Sequence, residues 1–74
     1  MPHIEIHYYP KEIDKIKLID ETLLLTRKIF NVNDDTVSIS LIEVIEENWF
    51  SSVVKSKLIT NRKYLIKEPG YVFK

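Results

Sequence analysis

The chain opens on an alternation. Ile4, Ile6 and Tyr8 fall on one side of an extended backbone, and His3, Glu5, His7 and Tyr9 fall on the other. A period of two predicts a strand with one buried face. Pro10 ends it because proline has no N–H for a ladder, and Pro2 is tolerated because it begins it. Over residues 13–30 the period lengthens. Ile16, Ile19, Leu23 and Phe30 recur at helical spacing, Ile13 and Thr26 fill the stripe, and Lys15, Lys17, Asp20 and Lys28 lie off it. This predicts an amphipathic helix of about five turns. Asn31 and the run Asn33-Asp34-Asp35 close it in a turn.

Alternation returns over residues 37–45. Val37, Ile39 and Leu41 oppose Ser38 and Ser40, and both sets turn apolar near Ile42 and Val44. A strand covered on both faces reads this way. Glu46, Glu47 and Asn48 then form a break, with Asn48 as a candidate N-cap. A second helix is predicted over residues 50–66 from the series Phe50, Val53, Val54, Leu58, Asn61, Tyr64 and Leu65. Glu68-Pro69-Gly70 stops it, and Tyr71-Val72-Phe73 can add a short terminal strand or arm.

The order strand, helix, strand, helix predicts a small α/β (α+β) protomer of β-α-β-α type. Two strands joined by a helix of this length lie parallel. Both helices are expected on one sheet face. The other face carries His3, Glu5, His7, Ser38 and Ser40 together with Ile42 and Val44, and it is expected to pack against another subunit because a two-stranded sheet is marginal alone.

Composition sharpens this picture. The 74 residues suffice for one domain spanning 1–74, and there is no cysteine to staple it. A core this small makes self-association a reasonable route to more buried apolar surface. The 45% hydrophobic and 30% charged fractions suit a globular domain. Eleven basic residues balance eleven acidic ones, which leaves no electrostatic footprint for a nucleic-acid partner. No apolar run is long enough to span a membrane, and the first residues lack a secretory signal, so the expected location is the cytoplasm.

Pro2 is the candidate for chemistry. Removal of Met1 before a small residue leaves a secondary amine at the chain terminus. An α-amino group titrates near ~8, and burial or a neighbouring cation lowers it. A base near neutral pH is suited to proton abstraction. On the dipeptide alone, a start with no catalytic meaning is the commoner outcome. His3, Glu5 and His7 also share one strand face, an arrangement that metal sites use, but no further ligand set accompanies them and packing is the expected fate.

The pattern as a whole is more specific. MPHIEI opens the chain, Pro10-Lys11-Glu12 follows, and Val37-Ser38-Ile39-Ser40 and Glu43-Val44 lie in the second strand. Trp49 and Lys67-Glu68-Pro69-Gly70-Tyr71 complete it. In this order and spacing the chain resembles the 4-oxalocrotonate tautomerase family, in particular the small bacterial members that begin Met-Pro-His-Ile and end in Pro-Gly-Tyr. The resemblance covers nearly the whole chain. It implies an oligomeric isomerase without a cofactor, with Pro2 as the catalytic base, Trp49 as an aromatic wall and Lys11 at or beside a substrate-binding arginine position. The second arginine of the founding enzymes is matched by Ser38. A lysine binds a carboxylate as a point charge, without the bidentate fork of arginine. The implied substrate is therefore a small enol or 2-oxo acid of phenylpyruvate type, not a dicarboxylate. Ser38 and Ser40 can donate to a substrate oxygen or fill a subunit interface. The helical segment after Trp49 resembles the dimeric branch, so the expected partner is a second copy in a homodimer. The rival reading is a non-catalytic oligomerising module, which a retained Met1 would favour because Pro2 would then hold an amide nitrogen.

Overall fold

The structure is a computed structural model that describes residues 1–71. The arm expected around Val72 and Phe73 lies outside the described residues. Strand β1 (His3–Tyr8) leads to helix α1 (Lys15–Phe30). A 3-10 turn (Asp34–Thr36) precedes strand β2 (Ser38–Glu43), which leads to helix α2 (Glu46–Trp49). The α2 path continues without a break as wider, π-helical turns (Phe50–Ile59), and a 3-10 turn (Arg62–Tyr64) follows. The two strands are parallel, with His3 opposite Ser38, Glu5 opposite Ser40 and His7 opposite Ile42. This is the β-α-β-α arrangement expected from the periodicities.

Helix α1 is set by its ends. The Asp14 side chain accepts the Lys17 N–H at 3.0 Å, which satisfies one of the free donors of the first turn. Asn31 adopts the left-handed conformation at φ 54° and sends its N–H to the Arg27 carbonyl at 3.2 Å, a helix end that asparagine tolerates. The Arg27 guanidinium then grips the Asp34 carboxylate with two bonds of 2.8 Å, Nε to Oδ1 and Nη2 to Oδ2. The end of α1 is thereby fastened to the turn that launches β2.

The helices occupy opposite faces of the sheet, contrary to the expectation of a shared face. Successive strand residues point to opposite sides. Ile4 and Ile6 border α1 residues Leu24 and Leu25, and Ile39 and Leu41 border Leu18 and Leu23. On the other side, His7 lines a hollow with Val53, Lys57 and Leu58, and Lys57 Nζ lies 3.8 Å from Glu5 Oε2. The face expected to await another subunit is thus occupied by the chain's own second helical segment. Ile42 and Val44 explain this: an apolar end to β2 gives that segment something to bury. Val44, Val53 and Val54 are buried there.

The helical boundaries also differ. Asn48 is not an N-cap. Helix α2 begins at Glu46, after Ile45 in an extended conformation, so Glu46 and Glu47 form its first turn, where acidic groups favour the helix dipole. The segment does not remain helical to residue 66, because Asn61 leaves helical geometry at φ −106° and ψ 32°. Hydroxyls loosen the turns before it. Ser51 Oγ donates to the Asn48 carbonyl at 3.2 Å, Ser56 Oγ to Ser52 at 2.6 Å and Thr60 Oγ1 to Lys55 at 2.8 Å. Such back-bonding shares carbonyls with the backbone ladder and slightly destabilises a regular helix.

The apolar stripe of α1 is rotated from the expected one. Thr26 is wholly buried, its hydroxyl donating to the Leu23 carbonyl at 3.0 Å. Leu18, Thr22 and Leu23 are partly covered, whereas Ile16, Ile19 and Phe30 are exposed. Leu24, Leu25 and Ile29 are exposed as well. The apolar residues of this helix cover a wider arc than the two-stranded sheet fills, while Lys17, Asp20, Glu21, Arg27 and Lys28 share the opposite side.

Candidate active site

The parallel register places Pro2 at the head of β1, level with the start of β2. The Ser38 N–H donates to the Pro2 carbonyl at 3.2 Å. This bond extends the ladder one residue beyond the strands and fixes Pro2 against β2. Pro2 is half-buried. Met1 is 98% exposed, so its removal sacrifices no packing and leaves the Pro2 nitrogen at the open end of the sheet. Beside it, His3 Nδ1 and Ser38 Oγ stand 2.7 Å apart. Further along the same face, the Glu5 carboxylate lies 3.8 Å from Lys57 Nζ and 4.0 Å from His7 Nε2. Ser40, partly covered, stands across from Glu5. Among the described residues no three histidine or acidic side chains converge as a metal site.

Trp49 and Lys11 lie at the other end. Trp49 follows the carboxyl end of β2 and meets the ring of Tyr9, just beyond the carboxyl end of β1, edge to face at 4.9 Å. Its Nε1–H donates to the Tyr71 hydroxyl at 3.1 Å. Together Trp49, Tyr71, His7, Lys57 and Lys67 border a hollow of about 390 Å3. Lys11 is exposed in the segment between Tyr8 and Lys15. A six-residue strand rising about 3.3 Å per residue separates these groups from Pro2 by about 20 Å. Within one chain, then, Pro2 and Ser38 come together, and Lys11 and Trp49 stand apart from them.

Sequence reasoning missed two partners in these clusters. His3 is read as a metal ligand or a packing residue, although a register pairing the first residues of both strands sets it against Ser38. Tyr9 enters the pattern only as an alternating position of the first strand, and its short distance to Trp49 depends on α2 starting earlier than the periodicity suggests.

No family model matches the chain. Curated relatives do. The protein named Tautomerase PptA from Enterobacter sp. (strain 638) is 31% identical over 74 residues, spanning 96% of this chain and 97% of the relative. Tautomerase PptA from Escherichia coli O127:H6 is 33% identical over 75 residues with the same coverage, and that from Cronobacter sakazakii is 30% identical over 74 residues. Two parallel strands with a helical segment on each face, matched end to end by tautomerases, define a small isomerase. The chain belongs to the tautomerase superfamily, in its 4-oxalocrotonate tautomerase-like group.

Proposed function

We propose that the protein is a cofactor-independent keto–enol tautomerase in which the free amine of Pro2, exposed by removal of Met1, is the general base. The substrate is a small enol or 2-oxo acid of phenylpyruvate type. The Pro2 nitrogen takes the proton from the enol oxygen and the resulting ammonium returns one to the conjugated carbon, so the keto product forms with no net change of atoms. The observation that carries this reading is the hold on Pro2: a half-buried residue at a strand head, tied to β2 through the Ser38 N–H. An α-amino group ordinarily titrates at about 8, close enough to neutral pH to serve as a general base.

Ser38, whose backbone N–H holds the Pro2 carbonyl, offers its hydroxyl as the donor for a substrate carboxylate or developing oxyanion. Lys11 and Trp49 join this site from a second copy, in a homodimer that sets the Pro2 end of one chain beside the Trp49 end of its partner. Two features support the dimer. The side chains of Ile16, Leu24, Leu25, Ile29 and Phe30 stand exposed on α1. Apolar grooves of about 540 and 480 Å3 flank that helix where the two-stranded sheet is too narrow to fill them. Burying such a surface is the main drive for association.

The test is conversion of phenylenolpyruvate to phenylpyruvate by protein whose intact mass confirms loss of Met1. Pro2→Ala is expected to lose about 10²- to 10⁴-fold in kcat, the usual worth of a positioned base, with the far-UV spectrum unchanged. An undiminished rate in that variant refutes the Pro2 mechanism.

A further inference from the structure

The closest side-chain contact beside Pro2 joins two residues in direct register, His3 and Ser38. Their Nδ1 and Oγ atoms lie 2.7 Å apart, and the same Ser38 donates its backbone N–H to the Pro2 carbonyl. Both side chains are exposed, at the end of the sheet face where neither is covered by the second helical segment. Glu5, His7 and Lys57 are the charged or titratable groups further along that face, and they engage one another. The His3–Ser38 pair therefore stands open to solvent at the same end of the sheet as Pro2.

A serine hydroxyl has one proton and two lone pairs. If Ser38 donates that proton to His3 Nδ1, only lone pairs face outward, and they repel an anionic oxygen. If the imidazole carries its proton on Nδ1 and donates to Ser38 Oγ, the hydroxyl proton is free for a substrate oxygen, and its donor strength is raised by the bond behind it. We infer that His3 is a positioning residue that donates from Nδ1 to Ser38 Oγ and so turns the Ser38 hydroxyl into the donor that holds a substrate carboxylate beside Pro2. This inference rests on the reading of Pro2 as the centre of the site.

Cinnamate, a planar aryl carboxylate that has no enol to convert, is the probe. Its Kd is measured by calorimetry on Met1-processed protein, and imidazole protonation is read from 15N shifts of His3 at saturating cinnamate. Nδ1 is expected to bear the proton. His3→Ala and Ser38→Ala are each expected to weaken binding about 5-fold, the worth of one hydrogen bond, and to raise the KM for phenylenolpyruvate alike with little change in kcat. His3→Asn, whose amide N–H takes the place of Nδ1–H, is expected to bind like the wild type. Adding His3→Ala to Ser38→Ala is expected to change nothing further, because His3 acts through the hydroxyl. An unprotonated Nδ1 in the bound state, additive losses in the double variant, or no cinnamate binding by the wild type overturns the inference. Pro2→Ala run alongside separates the two readings: full turnover in that variant refutes the base, whereas the cinnamate and 15N results judge His3 without any turnover.

Discussion

Tyr9 and Trp49 meet edge to face, their ring centroids 4.9 Å apart and their planes at 89°. This contact joins the segment leaving β1 to the helix leaving β2, and the Trp49 Nε1–H extends it to the Tyr71 hydroxyl at 3.1 Å. Three separate stretches of chain are pinned at one indole. An edge-to-face pair is worth about 1 kcal/mol beyond its buried area. A double-mutant cycle of Tyr9→Leu and Trp49→Leu by urea denaturation is expected to show a coupling of about that size. Additive losses would mean that the two rings contribute only area.

The Arg27–Asp34 grip gives a pH signature. The hydrogen bond from Arg27 holds the Asp34 carboxyl below the usual carboxylate range, and the same pairing raises the Arg27 guanidinium. A carboxyl depressed in the folded state contributes stability above its unfolded pKa and loses it as pH falls through its folded one. Both side chains are half exposed, so the effect is small, although bidentate geometry places it above an ordinary surface pair. Asp34→Asn is expected to lower the urea midpoint at pH 7, and its difference from the wild type is expected to shrink progressively as pH falls below the ordinary carboxylate range. A gap between the two proteins that persists undiminished in acid would assign the loss to something other than this charge pair.

The buried valines locate the core beneath the second helical segment. Val53 and Val54 are 6% and 4% exposed, and Val44 on the strand side is 7% exposed. Val54→Ala removes buried methyl groups and is expected to cost about 2 kcal/mol. Ser52→Ala, at an exposed position on the same segment, is expected to change stability by less than about 0.5 kcal/mol. Equal effects of the two would show that this segment does not dock on the sheet as described.

Much of this fold was legible in the residue pattern, and the exceptions have physical causes. The alternation of Ile4, Ile6 and Tyr8 against His3, Glu5 and His7 defined β1, and Pro10 marked where it stops. Pattern could not choose the face for the second helical segment, because β2 is apolar on both sides near Ile42 and Val44. The stripe on α1 was ambiguous for a similar reason: with Leu24, Leu25 and Ile29 apolar as well, several rotations of the helix bury comparable surface, and the sheet selected the one centred on Thr26. The wide turns over Phe50–Ile59 are accompanied by serine and threonine hydroxyls returning to carbonyls, which hydrophobic periodicity does not register. Pro2 was found as a candidate from the order of motifs. Its separation from Trp49 by the length of a strand emerged only with the three-dimensional arrangement.

The exposed side of α1 tests self-association directly. Leu25 is 53% exposed and lines a groove with Ile4, Ile6 and Ile29. In an isolated chain, Leu25→Glu puts a charge into solvent at little cost. In a dimer that buries this groove, the same charge is desolvated without a partner, at a cost of several kcal/mol. Sedimentation equilibrium is expected to show a dimer for the wild type and a folded monomer for Leu25→Glu. Identical association of both proteins would move the interface away from α1.

Subunit mixing decides whether the site is shared. Pro2 lies about 20 Å of strand from Trp49 in one chain, so a composite site draws Pro2 from one copy and Trp49 from the other. Pro2→Ala and Trp49→Ala are each expected to be nearly inactive on phenylenolpyruvate. When the two are mixed, dissociated and reassembled in equal amounts, half of the dimers are mixed, and each of these holds one site with both wild-type residues and one with neither. About a quarter of wild-type activity is then expected to return, as two-fold symmetry requires. If Pro2 instead works with groups of its own chain alone, no mixed dimer has a complete site that its parents lacked, and activity stays at the level of the two variants. The Leu25→Glu substitution placed in both parents sharpens the comparison, because it is expected to abolish the recovery by preventing the exchange of subunits that produces it.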